Sequence, residues 1–121
     1  LNKASLIDLT PGEQKRDFIY IDDVVSAFSS VIKNVHKFNR NSLHDIHIGS
    51  GVNTSIFDFV HLAKDICKNN ITELNFGAIS YRENEIMESN VNLKLIKSMG
   101  WKPNVSLEKG LRMTIENELK L

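Results

Sequence analysis

Residues 16 to 25 decide the fold of this chain and read Arg-Asp-Phe-Ile-Tyr-Ile-Asp-Asp-Val-Val. The aromatic and β-branched residues at 17 to 21 predict a buried strand. Apolar residues then recur at three- and four-residue steps, which predicts a helix of about three turns. Asp22 is expected to cap that helix, because a carboxylate accepts the free N–H groups of the first turn. The predicted inner face of the helix consists of Val24, Ala27, Phe28, Val31, Ile32 and Val35.

Short strands and helices continue to alternate downstream. Residues 45 to 48 alternate polar with apolar side chains and predict a strand that ends at Gly49-Ser50-Gly51. Ser55 stands three residues before Asp58, which predicts a capped helix start. The inner face of this second helix is predicted to hold Ile56, Phe59, Val60, Ala63, Ile66 and Cys67.

The last third of the chain has weaker signals. Residues 74 to 76 are a strand candidate, and residues 77 to 90 show no period and predict a long loop. Residues 92 to 99 predict a short helix with Gly100 as its left-handed C-terminal residue. Ser106 is expected to cap a closing helix whose inner face is Leu107, Leu111, Thr114, Ile115 and Leu119.

Length and composition limit the classes of protein that fit. The 121 residues make one small domain or a piece of a larger one, and Leu1 in place of Met suggests a longer polypeptide. The 15 basic and 15 acidic residues cancel, so no basic field for coating nucleic acid is expected. No apolar run approaches a membrane span, and the first residues lack the basic segment and apolar run of a signal peptide, so we expect a soluble protein. Cys67, the only cysteine, permits no internal disulfide, which is typical of the cytoplasm.

One motif partly matches a dinucleotide-binding turn. Gly49-x-Gly51-x-x-Thr54 lies between a predicted strand and a predicted helix, and Glu73 follows about 20 residues on. The third glycine of the fingerprint is missing. The alternative is a strand-to-helix turn whose glycines adopt unusual backbone angles.

Other reactive side chains carry no clear catalytic pattern. The spacing of the histidines matches no zinc motif, so no metal site is expected. Neither Tyr20 nor Tyr81 has a lysine four residues later, so the Tyr-x-x-x-Lys base is missing. The histidines are His36, His44, His47 and His61.

Two of the four arginines lie next to strand-like or turn-like segments. Arg16 precedes the first predicted strand, and Arg82 lies in the irregular stretch 77 to 90. A planar guanidinium binds phosphate oxygens through two hydrogen bonds, so two converging arginines would hold a diphosphate. The alternative for each is a solvent-facing or ion-paired arginine.

Residues 16 to 25 resemble the Arg-Asp-Phe/Tyr-x-Tyr/His-Val-x-Asp signature of the extended short-chain dehydrogenase/reductases. These are the NAD-dependent nucleotide-sugar epimerases and dehydratases. The resemblance continues in order through Ile48-Gly49-Ser50-Gly51, Tyr81-Arg82 and Gly100-Trp101-Lys102-Pro103. It covers nearly the whole chain.

The resemblance implies an α/β fold, with residues 1–121 forming a small C-terminal substrate-binding lobe of a few short strands and about four helices, detached from a Rossmann domain. It implies that Arg16 and Arg82 grip the diphosphate of a nucleotide sugar and that Glu85 lies near the nucleoside. Asp17 and Asp22 are interpreted as structural. The parent enzyme would use NAD or NADP, and neither that cofactor nor a catalytic residue is expected in this chain.

Two departures from the family pattern affect the loops. His47 replaces an asparagine before the glycine turn, and Asn92-Leu93-Lys94-Leu95 replaces an Asp-x-Ser-Lys helix start. Within the family, residues 9 to 18 most resemble enzymes of deoxysugar synthesis for surface polysaccharides, such as CDP-abequose synthase-like reductases.

Two hypotheses follow. The first is an enzyme part that binds a nucleotide-diphosphate sugar and exposes apolar surface toward a missing neighbour, so that homo-oligomers are expected. The second is a free-standing module that binds an anionic ligand or a partner protein without catalysis.

Overall fold

The computed structural model describes residues 4–120 as alternating short strands and helices. The strands are β1 (Leu6–Leu9), β2 (Lys15–Asp17), β3 (Asn53–Ser55) and β4 (Glu73–Phe76). The helices are α1 (Ile21–Lys33), α2 (Ile56–Ile66), α3 (Lys94–Ser98) and α4 (Leu107–Lys120), with a short 3₁₀ turn at Val35–Lys37. The predicted α/β class is therefore confirmed.

The strands form two separate pairs. β1 and β4 are parallel, with Leu6 opposite Glu73. β2 and β3 are antiparallel, with Arg16 opposite Thr54 and Asp17 opposite Asn53. The weak strand candidate at residues 74 to 76 is thus confirmed as part of β4.

The strand predicted at residues 17 to 21 is wrong in position. Strand pairing covers Lys15–Asp17, and α1 begins at Ile21. The pairing stops at Asp17 because its partner β3 extends back only to Asn53. Asp22 is not the cap, since Tyr20 occupies that position without a side-chain bond and Asp22 lies in the first turn.

The strand predicted at residues 45 to 48 is not formed among the described residues. Ile46 and Ile48 instead pack against the core, so their alternation reflects a half-buried segment without a partner strand. The core itself is small. It consists of Ala27, Leu93, Ile96 and Trp101, which join α1, α3 and the segment before α4.

The helix caps predicted at Ser55 and Ser106 are confirmed. Ser55 Oγ accepts a hydrogen bond from the Asp58 amide at 3.0 Å, and Ser106 Oγ accepts one from the Lys109 amide at 3.3 Å. Gly100 adopts the expected left-handed conformation, with φ of +81°. The helix before it is shorter than predicted, at Lys94–Ser98.

Several residues predicted to lie on the inner, buried faces of α1, α2 and α4 are exposed in the structure. Phe28, Ile32 and Val35 are exposed, because the core meets α1 along Ala27 and Val31 instead. Cys67 is exposed, since α2 ends one residue earlier. Thr114 and Leu119 are also exposed on α4.

None of the helices in residues 4–120 has both the length and the apolar character needed to cross a membrane.

Candidate functional site

Arg16 lies in the centre of β2, and its guanidinium is held by the loop at residues 77–90. Nη1 donates to the carbonyl oxygens of Lys15 at 2.8 Å and Ile86 at 2.6 Å. Nη2 donates to Glu85 Oε1 at 2.5 Å. Both side chains are partly buried, with 33% of Arg16 and 20% of Glu85 exposed. The ion pair is thus partly shielded from water, which strengthens it relative to a surface pair.

The 77–90 loop is also tied to the β2 region through other contacts. The Lys15 amide donates to the Met87 carbonyl at 2.7 Å, and Lys15 Nζ lies 3.7 Å from Glu88 Oε1. Near its start, the Tyr81 hydroxyl accepts a hydrogen bond from the Glu13 amide at 3.0 Å. The loop has no helix or strand, as predicted, but several long-range bonds fix it against the segment that carries Arg16.

Arg82 is exposed on a tight turn of the same loop. The Glu85 amide donates to the Arg82 carbonyl at 3.1 Å, and Asn84 within the turn has a φ of +62°. Arg82 is therefore three residues away from the carboxylate that holds Arg16. Considered one at a time, Arg16 matches the alternative of an ion-paired arginine, and Arg82 matches that of a solvent-facing arginine. Those alternatives do not account for the fact that one turn both carries Arg82 and bonds Arg16.

Asp17, next to Arg16, holds the glycine turn. Its Oδ1 accepts from the Ser50 amide at 2.7 Å and the Ser50 hydroxyl at 2.6 Å, and its Oδ2 accepts from the Gly51 amide at 2.8 Å. A side chain at Gly49 would place Cβ 2.6 Å from Asp17 Oδ2. The structural role predicted for Asp17 is confirmed, and the glycines accommodate its carboxylate.

The same geometry argues against a dinucleotide site at this turn. A dinucleotide-binding turn follows a strand directly and opens a helix. Here residues 45 to 48 form no strand, β3 separates the turn from α2, and the turn amides of Ser50 and Gly51 bind Asp17. These residues do not fit NAD or NADP.

Two of the histidines form hydrogen bonds with the backbone. His47 Nδ1 accepts from the Asn92 amide at 3.1 Å, and His61 Nδ1 lies 2.9 Å from the Phe57 carbonyl. Residues 4–120 contain no group of three or more side chains suited to holding a metal ion. The bond between His47 and Asn92 joins the two positions at which the sequence departs from the family pattern.

Three anchoring contacts had no clear sequence signal. Asp23 is 3% exposed and accepts from the amides of Asn104 and Val105 at 3.0 and 2.9 Å. The Glu13–Tyr81 and Lys15–Met87 bonds also join distant segments. The sequence offered one hint for Asp23, because Asp22 and Asp23 are both at the start of α1. A single aspartate there is enough to interact with the helix dipole, so the second could have another role.

Comparisons with known proteins agree with this fold. The model of the NAD dependent epimerase/dehydratase family matches residues 1–49. The UDP-glucose 4-epimerase of Thermotoga maritima, solved with UDP-glucose, superposes with a TM-score of 0.73 at 30% identity, covering 90% of this chain and 33% of that one. A GDP-6-OMe-4-keto-L-xylo-heptose reductase from C. jejuni, with a TM-score of 0.80 at 23% identity, covers 96% of this chain and 34% of that one and shares the fold.

Sequence relatives define the family. The CDP-abequose synthase of Salmonella typhimurium is 41% identical over 110 residues, which are 90% of this chain and 36% of the relative. The dTDP-D-glucose 4,6-dehydratase of Mus musculus is 30% identical over 109 residues, 87% of this chain and 29% of the relative. The chain belongs to the NAD dependent epimerase/dehydratase family, within the extended short-chain dehydrogenase/reductases. It spans about a third of the length of the curated relatives that it matches.

Proposed function

We propose that this chain is the C-terminal, nucleotide-sugar-binding part of an NAD(P)-dependent epimerase, dehydratase or reductase. The observation that carries the proposal is the ion pair between Arg16 and Glu85, which attaches the Arg82 turn to β2. Two guanidinium groups on adjoining segments are suited to the two phosphates of a diphosphate. The 41% identity to a CDP-abequose synthase supports a role in deoxysugar or surface-polysaccharide synthesis.

In this proposal the chain's contribution to catalysis is binding energy. The diphosphate does not react, so its contacts can fix the orientation of the sugar against a cofactor. Arg16 and Arg82 would hold the phosphates, and Glu85 would lie beside the nucleoside. We assign the binding of NAD or NADP to the region of the full-length relatives that this chain does not cover.

Calorimetry tests the assignment. We expect CDP or UDP to bind the protein and a sugar without a diphosphate to bind far more weakly. Arg16→Ala should weaken nucleoside-diphosphate binding about tenfold or more, because each charge-assisted hydrogen bond lost is worth about 1.5–3 kcal/mol.

Arg112→Ala is the matched control. Arg112 is an exposed arginine on α4 that is ion-paired with Glu108 at 2.8 Å, so it shares the chemistry of Arg16 but not its location. Its removal should leave affinity unchanged. Equal losses for both variants, or affinity that follows the sugar instead of the diphosphate, would favour the alternative of a general anion-binding or protein-binding module.

A further inference from the structure

We propose that Glu85 is a positioning residue, which orients Arg16 for anion binding and couples it to Arg82. The inference rests on the proposed function, because it takes Arg16 to be a diphosphate ligand. In this role Glu85 acts on the ligand through Arg16, whereas in a nucleoside contact it would touch the ligand directly. The evidence is the way one residue is bonded to both arginine-bearing segments.

The hydrogen bonds of the Arg16 guanidinium leave part of its donor capacity free for a ligand. A guanidinium has five N–H groups, and residues 4–120 engage three of them, two on Nη1 and one on Nη2. The remaining two are the Nε–H and one hydrogen of Nη2. Both can donate to the oxygens of a phosphate while the other three stay bonded to the protein.

Glu85 fixes the end of the guanidinium that the carbonyl groups do not reach. The carbonyls of Lys15 and Ile86 both bind Nη1, whereas Glu85 is the described partner of Nη2. A free arginine side chain has many rotamers, and ordering it on binding opposes affinity. Glu85 therefore lowers that cost by ordering Arg16 before a ligand arrives.

The backbone of Glu85 serves the second arginine. Its amide closes the turn on the Arg82 carbonyl at 3.1 Å, while its carboxylate reaches β2. A change in the side chain of Glu85 thus frees Nη2 of Arg16 and removes one of the bonds that hold the Arg82 turn against β2. This dual attachment makes Glu85 a link between the two arginine-bearing segments.

Electrostatics alone predicts the opposite effect of removing Glu85. A carboxylate beside a bound diphosphate repels it, so loss of the charge would raise affinity if orientation did not matter. Glu83→Ala gives the matched control, because Glu83 is exposed on the same turn and carries the same charge. The two variants therefore separate positioning from simple repulsion.

The experiment measures binding of inorganic pyrophosphate and of CDP to the wild type, Glu85→Ala, Glu85→Gln and Glu83→Ala. We expect Glu85→Ala to weaken both ligands about fivefold, from the ordering cost of one long side chain. Glu85→Gln should recover part of the loss, since its amide oxygen still accepts from Nη2. Glu83→Ala should leave binding unchanged or slightly tighter. In an Arg16→Ala background, Glu85→Ala should have no further effect.

Several results would overturn the inference. Tighter binding in Glu85→Ala would show that repulsion dominates. A loss for CDP that persists without Arg16 and is missing for pyrophosphate would show direct contact with the nucleoside.

A second readout needs no ligand. Hydrogen exchange of the Lys15 amide, which donates to Met87, should accelerate in Glu85→Ala and not in Glu83→Ala. If the wild type binds neither pyrophosphate nor CDP, the proposed function fails. Unchanged exchange in Glu85→Ala contradicts the positioning role separately.

Discussion

Asp17 and Ser50 are 33 residues apart in the sequence and share two hydrogen bonds, from the amide and the hydroxyl of Ser50 to Asp17 Oδ1. Asp17 follows Arg16 directly on β2, so the residue that fixes the glycine turn is adjacent to the proposed phosphate ligand. The strand thus has a structural side chain and a proposed phosphate-binding side chain at successive positions. Successive side chains of a strand point to opposite faces, which allows both roles.

Asp17→Asn is expected to destabilise the protein. Asparagine keeps one acceptor oxygen and loses the other together with the charge, so we expect a loss of about 1–3 kcal/mol in the free energy of unfolding. Urea denaturation measures it. Asp22→Asn, an exposed aspartate in the first turn of α1, should cost less than about 1 kcal/mol. Equal costs would contradict the account of Asp17.

Gly49→Ala tests the close approach at the glycine turn. The new Cβ would lie 2.6 Å from Asp17 Oδ2 and 3.0 Å from Val91 Cγ1, and three hydrogen bonds hold the carboxylate in place. We expect a destabilisation of about 1–3 kcal/mol in urea denaturation. The cost should be smaller in an Asp17→Ala background, where the obstructing oxygen is gone. Strict additivity of the two substitutions would disprove the clash.

Asp23→Ala should loosen the segment before α4. The buried carboxylate is replaced, and the amides of Asn104 and Val105 lose their acceptor, at a cost of about 2 kcal/mol. Thermal unfolding measures the loss, with Asp22→Ala as the exposed neighbour for comparison. A midpoint that is the same for the two variants would show that Asp23 is not an anchor.

The outer face of α1 predicts self-association. Ile21, Val25, Phe28 and Ile32 lie at helical spacing and are 58–70% exposed. We expect light scattering to show dimers or larger species at high concentration, and Phe28→Glu to shift them toward monomer. Lys33→Glu, an exposed position on the same helix away from this stripe, is the control. A wild type that stays monomeric throughout would contradict the expectation.

The sequence alone predicted much of the helical framework. The caps at Ser55 and Ser106 depend on local chemistry, so residues three positions apart were enough to find them. The ends of the strands, in contrast, depend on partner segments that are distant in sequence. β2 ends at Asp17, opposite Asn53, where β3 begins. The alternation at residues 45 to 48 reflects the partial burial of Ile46 and Ile48 without a partner strand. Pairing partners distant in sequence cannot be read from a local pattern.

The candidate site was predictable only in part. Arg16 was singled out by the family signature, and Arg82 by the continuation of the resemblance at Tyr81-Arg82. Both arginines also lie next to strand-like or turn-like segments. The contact of Arg16 with Glu85 spans 69 residues and depends on how an irregular loop folds back. No periodicity encodes such a loop, so the positioning role of Glu85 required the structure.

Resonances of the arginine side chains test the central claim most directly. The chain has four arginines, at positions 16, 40, 82 and 112, and the Nε–H group of each gives its own signal in a ¹⁵N spectrum. Titration with CDP is predicted to shift the signals of Arg16 and Arg82 together, with one dissociation constant, while those of Arg40 and Arg112 stay in place. Shifts confined to Arg40 or Arg112, or a titration in which Arg16 and Arg82 do not respond, would contradict a shared diphosphate site.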